Sequence, residues 1–190
     1  MSLNNFEKDF EMKPKNIRVF NTLDKDSSIK ADEMHNNFVR SGVDFASGVP
    51  CGVLRHVIRN FANDSRIVHL PTNRESESVG LAAGAYLGGK IPIVYMQNSG
   101  LFAASNDIAS LLIPYKIPIF FVISYRGCPG EDAVQHLVTG QATEILLHSF
   151  GLHFVVFEKN EIGPLLNTRF KKMDEIKLPV FLLLKRWWHK

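Results

Sequence analysis

Two carboxylates at the start of a predicted helix are the first side chains in this sequence that could do chemistry. Glu75 and Glu77 begin residues 75–87, where the positive end of the helix dipole favours negative charge. Two steps along a helix rotate by about 200°, so the two carboxylates face different directions and cannot serve one site together. From these residues alone, either carboxylate could instead be solvated in the first turn.

Three polar segments, each expected to form a loop, follow predicted strands. They are Gly48-Val49-Pro50-Cys51, Gln97-Asn98-Ser99-Gly100 and a loop that holds Arg126, Gln135 and His136. Ligands of open α/β sheets bind at the carboxyl ends of the strands, so we expect these segments to lie together there. A guanidinium suits a tetrahedral oxyanion, and an imidazole can move a proton near neutral pH. The alternatives are turn chemistry for the first two segments, a surface ion pair for Arg126 and a helix cap for His136.

The elements that must position these residues alternate along the chain. Short apolar runs predict strands at residues 43–46, 66–70, 93–96, 117–124, 153–157 and 178–184. Apolar spacing and end signals predict helices at residues 31–39, 53–61, 75–87, 106–112, 139–150 and 162–173. Such alternation predicts an α/β fold with three layers, α/β/α, around a parallel sheet of about six strands.

The organisation of the chain predicts one domain with a short extension. A length of 190 residues suffices for one domain with a sizeable core, and no linker or repeat divides it. Residues 1–28 lack clear periodicity, so we expect a loosely ordered N-terminal extension. Within it, residues 17–20 are expected to form a short strand or to dock on a partner. Residues 29–190 are expected to form the domain.

Composition excludes several classes of function. The net charge is only +3, and no basic stripe is interleaved with aromatic residues, so we expect no nucleic-acid partner. Cys51 and Cys128 lie far apart and show no metal-ligand spacing, which predicts no metal site in this chain and two free thiols in a reducing compartment. No apolar run approaches the roughly 18 residues of a membrane span, and the N-terminus lacks the core of a signal peptide. A cytoplasmic location without membrane contact is expected.

Several motifs, in their order along the chain, resemble one family. Arg74-Glu75-Ser76-Glu77, Ala82-Ala83-Gly84-Ala85-Tyr86-Leu87 and Tyr95-Met96-Gln97-Asn98-Ser99-Gly100-Leu101 join the segments above. Together they are similar to the pyrimidine-binding domain of thiamine diphosphate enzymes, most closely that of sulfopyruvate and phosphonopyruvate decarboxylases. The likeness covers roughly residues 31–184. After Leu101 the family usually continues Gly-Asn, whereas this chain reads Phe102-Ala103, so we expect the loop that faces the substrate to differ.

The resemblance implies a role for each segment. In such enzymes a glutamate hydrogen-bonds N1′ of the cofactor's aminopyrimidine ring and makes its 4′-amino group a competent base; the matching position is Glu75, not Glu77. The residues implied to bind the cofactor are Val49, Pro50, Glu75, Gln97, Asn98, Ser99 and Gly100. Arg126, Gln135 and His136 are implied to bind the substrate, and His136 is also implied to move a proton during catalysis.

The chain lacks the other half of the family's cofactor site. Those enzymes hold the diphosphate through Mg²⁺ on a Gly-Asp-Gly segment, which does not occur here, and no GxxxxGK[ST] loop replaces it. The resemblance thus implies the alpha subunit of a 2-oxoacid decarboxylase, a carbon–carbon lyase whose beta subunit holds Mg²⁺ and diphosphate. Ser76, Gly80, Gly84 and Gly88 lie along one side of the central helix and would let that subunit approach closely in a hetero- or homo-oligomer.

Two alternatives remain open, as does the nature of the substrate. The first alternative is a non-catalytic regulatory or assembly protein with the same fold, and the second is an unrelated nucleotide-binding domain. The second is disfavoured because neither GxGxxG nor a phosphate-binding loop occurs. A small anionic 2-oxoacid is expected as substrate, but the sequence does not distinguish a sulfonate from a phosphonate.

Overall fold

A sheet of six parallel strands in the order β2-β1-β3-β4-β6-β5 forms the centre of the computed structural model. The structure describes residues 17–131, 133–158, 162–186 and 188. The strands are β1 Phe45–Gly48, β2 Val68–Pro71, β3 Pro92–Gln97, β4 Phe120–Tyr125, β5 His153–Phe157 and β6 Val180–Lys185. The helices are α1 Ile17–Arg40, α2 Arg55–Asn63, α3 Glu75–Leu87, α4 Asn98–Ala103, α5 Ser105–Asp107, α6 Leu137–Ser149 and α7 Ile162–Ile176.

Helices cover both faces of the sheet. Successive strand residues point to opposite faces, so neighbouring residues of one strand pack against different helices. Phe120 faces α1, α2 and α7, and its ring stacks on Phe170 of α7 with centroids 4.6 Å apart. Phe121, the next residue, faces α3, α4 and α6, and its ring stacks on Phe181 of β6 at 4.5 Å. Both faces are therefore apolar cores, and the predicted α/β/α fold with a parallel six-stranded sheet is confirmed.

Four strands, β1, β2, β4 and β6, begin two or three residues later than predicted. For β1 and β4 the reason is that the residue expected to open the strand closes the preceding helix instead. The N–H of Val43 donates to the Phe38 carbonyl at 3.0 Å, so β1 begins at Phe45 rather than at residue 43. The N–H of Ile117 donates to the Leu112 carbonyl at 2.9 Å, so β4 begins only at Phe120. Apolar side chains alone do not distinguish the last turn of a helix from a strand.

The segment after β3 is helical, so the prediction of a polar loop at residues 97–100 was wrong. Only Gln97 belongs to β3, and Asn98 opens α4. Small polar residues favour the first turns of helices as well as loops, which explains the error. Helix α5 and the π-helical turn Ile108–Leu112 follow almost directly, where the helix was predicted to begin only at residue 106.

Helix α1 is longer than the predicted helix at residues 31–39. It begins at Ile17, so residues 17–20 are its first turn rather than a strand, and it passes residue 28 without a break. Residues 1–16 of the predicted extension lie outside the described residues. In the part of the chain that the structure describes, no helix combines the length and apolar character needed to span a membrane.

Candidate active site

The predicted site lies at the carboxyl edge of the sheet, between β1 and β3. Strands β2 and β3 flank β1 in the sheet. From β1 the chain crosses to β2, and from β3 it crosses to β4 in the opposite direction. Connections that diverge in this way leave a crevice at the carboxyl ends of the two strands, where ligands of doubly wound sheets bind. Val49, which is half-buried, and Pro50, which is exposed, follow β1 directly at this edge.

Glu75 and Gly100 are in contact across this crevice. Glu75 is the first residue of α3 and is half-buried, whereas Glu77 is exposed. A Cβ atom added at Gly100 would overlap Cγ and Oε1 of Glu75, so the missing side chain at Gly100 makes the space that this carboxylate occupies. The structure thus brings together two predicted site residues from α3 and α4.

Thr72 fixes the start of α3, and with it the position of Glu75. Its N–H donates to the Gly48 carbonyl at 3.0 Å, and its hydroxyl donates to the Arg74 carbonyl at 3.0 Å and pairs with the Ser78 hydroxyl at 2.5 Å. The end of β1 and the first turn of α3 are therefore tied together. The sequence reasoning missed Thr72. Its spacing to Glu75 is that of a capping box, but the N-cap of α3 is Arg74, so Thr72 acts from two residues before the cap, for which the sequence holds no standard signal.

Asn98 is fully buried and uses its amide inside the chain. Its Nδ2 donates to the Arg126 carbonyl at 2.8 Å and to Oγ1 of Thr143 at 2.9 Å, and its Oδ1 accepts from the Arg126 N–H at 3.1 Å. Its neighbours Gln97, half-buried, and Ser99, exposed, are joined by a hydrogen bond from Nε2 to Oγ of 2.7 Å. Asn98 thus joins the ends of β3 and β4, a role that the sequence reasoning did not predict.

Arg126 forms an ion pair with Glu131 inside the loop that follows β4. Its Nε donates to Oε1 of Glu131 at 2.6 Å, and Nη2 lies 2.5 Å from the same oxygen. The Arg126 side chain is 17% exposed and that of Glu131 only 1%, so this is not the surface ion pair that the sequence offered as an alternative. Burial alone would raise the pKa of the Glu131 carboxyl, but the hydrogen bonds from Arg126 and Gly127 outweigh burial and lower it.

Gln135 and His136 precede α6 in a short helical turn, Val134–His136. Gln135 is exposed and His136 is half-buried. His136 occupies the N-cap position of α6, but its side chain makes no capping hydrogen bond. The alternative reading of His136 as a side-chain helix cap is therefore not what the structure shows.

The described residues fit one half of the implied cofactor. A half-buried carboxylate seated against a backbone glycine suits a flat heterocycle with a ring nitrogen that hydrogen-bonds to an acid. No group of three histidine, cysteine or acidic side chains that could hold a metal occurs within the described ranges. In chemical terms, the arrangement places a carboxylate, Glu75, and a guanidinium, Arg126, at the same edge of the sheet.

No family model matches the chain, but curated proteins do. Sulfopyruvate decarboxylase subunit alpha of Methanococcus maripaludis is 36% identical over 155 residues, which cover 81% of this chain and 93% of the relative. The subunit of the same name from Methanothermobacter thermautotrophicus is 42% identical over 114 residues, or 60% of this chain and 69% of the relative. Phosphonopyruvate decarboxylase of Streptomyces hygroscopicus is 38% identical over 125 residues, 65% of this chain but only 30% of the relative. The resemblance inferred from the motifs is thus confirmed.

A solved structure shares the fold. The 2-oxoglutarate:ferredoxin oxidoreductase from Magnetococcus marinus superposes with a TM-score of 0.61 at 16% identity, over 84% of this chain and 29% of that one. At this identity the match shows the fold alone. It agrees with the α/β/α architecture described above.

Proposed function

Because this chain belongs to the family of sulfopyruvate decarboxylase alpha subunits, we propose that it is the pyrimidine-binding subunit of a thiamine diphosphate-dependent 2-oxoacid decarboxylase. The observation that carries the proposal is the contact of Glu75 with Gly100 at the crevice between β1 and β3. The substrate would be a small 2-oxoacid with an anionic head group, sulfopyruvate or phosphonopyruvate. A partner subunit would hold Mg²⁺ and the diphosphate.

The residues of this chain would bind and position the cofactor ring and the substrate. Glu75 would hold a proton shared with N1′ of the aminopyrimidine ring, while Val49 and Pro50 would position that ring. When bound, thiamine diphosphate supplies the carbon that adds to the 2-oxo group and takes up the electrons released on loss of carbon dioxide. Arg126 would bind the anionic head group through guanidinium N–H groups that Glu131 does not engage.

The other proposed site residues lie around these. Gln97, Ser99 and Gly100, at the end of β3 and the start of α4, would line the cofactor site. Asn98 would act indirectly, since its amide is engaged by Arg126 and Thr143. Gln135 would contact the substrate from its exposed position, and His136 would return a proton to the product carbon.

Co-expression with a candidate partner tests this function. The partner is a chain with a Gly-Asp-Gly segment, and the purified complex would be assayed with sulfopyruvate and phosphonopyruvate in the presence of thiamine diphosphate and Mg²⁺. Release of carbon dioxide from one of them, dependent on both chains, is the expected result. A stable complex that decarboxylates neither acid would favour the regulatory or assembly role instead.

The isolated chain is expected to bind thiamine diphosphate weakly, with a Kd no tighter than about 1 mM, or about −4 kcal/mol. The physical reason is that the described residues offer a site for the pyrimidine ring but no metal cluster for the diphosphate. Isothermal titration calorimetry with Mg²⁺ present measures this directly. Stoichiometric micromolar binding by the chain alone would contradict the division of the cofactor between two subunits.

The open side of α3 is expected to contact the partner. Cβ atoms added at Gly80 and Gly84 would meet no other atom within 4 Å, and Leu87 on the same helix is 74% exposed. We expect Gly84→Leu to leave the isolated chain folded, since the site has room, but to weaken assembly at least about tenfold, or roughly 1.4 kcal/mol. Analytical ultracentrifugation of the two-chain mixture measures the loss.

The matched control is Ala62→Leu, which places the same side chain on the exposed part of α2 in the opposite helical layer. Assembly should be unchanged in that variant. If Gly84→Leu assembles as well as the control, the partner does not cover this side of α3.

A further inference from the structure

A buried carboxylate holds together the loop that follows β4. Glu131 is 7% exposed, and its Oε1 accepts from Nε of Arg126 at 2.6 Å and lies 2.5 Å from Nη2. Its Oε2 accepts from the N–H of Gly127 at 2.9 Å. One side chain therefore fixes both the guanidinium of Arg126 and the backbone of the next residue.

Arg126 is also held through its main chain. The amide of Asn98, which is fully buried in the first turn of α4, pairs with both the N–H and the carbonyl of Arg126. Asn98 thus sets the main chain of Arg126, and Glu131 sets its side chain. Since Gly100 in the same helix contacts Glu75, the two proposed functional groups are connected through α4.

Close packing restricts the conformation of the loop that carries Arg126 and Glu131. Gly127 has a φ of +71°, and a Cβ atom there would overlap the carbonyl of His136. Gly140 of α6 in turn packs against the carbonyl of Gly127. The loop therefore packs tightly against the start of α6, which fixes the positions of Glu131 and Arg126 relative to His136.

We propose that Glu131 is a positioning residue that aims Arg126 at the anionic head group of the substrate. Glu131 engages the Nε and Nη2 edge of the guanidinium, which leaves Nη1 as the nitrogen that Glu131 does not engage, on a side chain that is still 17% exposed. This inference rests on the proposed function, in which Arg126 binds that head group. It adds a residue to which the motifs had assigned no role.

The buried ion pair of Arg126 and Glu131 fixes the orientation of the guanidinium as well as neutralising its charge. A guanidinium held at two of its nitrogens presents its remaining N–H groups in one direction, which favours a tetrahedral oxyanion at a fixed place. Removing the arginine would leave the Glu131 carboxylate buried without its partner, which disrupts the surrounding structure. Substitution of Glu131 is therefore the cleaner test, because an unpaired arginine at the edge of the site can still reach water.

The first measurement uses the isolated chain and needs no cofactor. In ¹⁵N-labelled protein, exchange of the Arg126 Nε proton with water should be at least about tenfold faster in Glu131→Gln than in the wild type, since a charge-assisted hydrogen bond is lost. The matched control is Glu158→Gln, which removes a carboxylate that pairs with Lys185 at 2.9 Å near the same edge but is 68% exposed. The control should leave the Arg126 proton unchanged.

The second measurement is kinetic and uses the complex with its partner. Glu131→Gln should raise KM for the preferred oxoacid with an anionic head group about 10- to 100-fold, with a smaller change in kcat. For pyruvate, which lacks the head group, kcat/KM should change little, and thiamine diphosphate affinity should stay the same. Glu131→Asp, which keeps the charge on a shorter stem, should fall between the two and serves in place of Glu131→Gln if the glutamine variant does not fold.

Three outcomes decide the matter. Unchanged proton exchange in Glu131→Gln, or an equal loss for pyruvate and the anionic oxoacid, would overturn the positioning role and leave Glu131 a structural residue. The expected exchange and KM changes together support it. If the wild-type complex turns over no oxoacid, the proposed function fails, and the proton exchange of the isolated chain still decides whether Glu131 orients Arg126.

Discussion

Replacing Glu75 with glutamine is expected to lower the turnover number of the assembled enzyme by about 10²- to 10⁴-fold, or roughly 3 to 5 kcal/mol of barrier. The amide keeps the size of the side chain and its contact with Gly100, so the fold and the assembly should survive. The amide can hydrogen-bond to a ring nitrogen, but it cannot share a proton with it as a carboxyl group does. The loss should therefore appear in kcat rather than in stability.

Two measurements separate this role from a general loss of integrity. The first is the turnover number, and the second is hydrogen–deuterium exchange at the reactive carbon of thiamine diphosphate, followed by quenched NMR. Glu77→Gln is the matched control, because Glu77 is an exposed carboxylate of the same helical turn. Exchange that stays fast in Glu75→Gln, or that slows equally in the control, would remove Glu75 from the mechanism.

Gly100→Ala is expected to be nearly as damaging, through a side chain that carries no chemistry of its own. The new methyl group would overlap the Glu75 carboxylate, so Glu75 must turn away from the position proposed to face the ring nitrogen. Overpacking of this kind costs about 1 to 3 kcal/mol of folding stability. Turnover should fall by at least about 10²-fold, because the general acid–base contribution of Glu75 is lost.

Gly84→Ala is the control for this prediction. Its Cβ would meet nothing within 4 Å, and the isolated chain should gain up to about 1 kcal/mol in helix stability. Thermal unfolding of both variants and turnover of Gly100→Ala in the complex provide the comparison. Wild-type turnover in Gly100→Ala would mean that the observed position of the Glu75 side chain, against Gly100, is not needed for catalysis.

The sequence predicted the six strands and most of the helices, though not α4, and it predicted the edge of the sheet at which the site residues meet, because these features depend on local patterns. Helix α3 was predicted with its observed bounds, Glu75–Leu87, and β5 with His153–Phe157. The carboxyl ends of parallel strands share one edge, so the meeting of Glu75 with the end of β3 also followed from topology. The starts of β1 and β4 were predicted too early, because they depend on backbone hydrogen bonds that cannot be inferred from the side chains.

The partners of the site residues could not be predicted in the same way. Asn98 bonds to Arg126 across 28 positions and to Thr143 across 45, and such pairs depend on the packed fold. Arg126 was expected either to bind substrate or to pair at the surface, whereas the structure shows a largely buried pair with Glu131. That outcome depends on the conformation of one loop, for which a single sequence gives no pattern.

The strand order also has a consequence for how the chain folds. Strand β6 comes after every other described strand in the sequence, yet it lies between β4 and β5, and its residues Val180 to Leu184 are fully buried. During synthesis, β4 and β5 therefore leave the ribosome before the strand that joins them. Until β6 arrives, each has an unpaired, apolar edge of the kind that seeds aggregation. The loop of Arg126 and Glu131 follows β4 directly, and β4 gains its second neighbouring strand only through this late, non-local pairing; such pairings fold slowly.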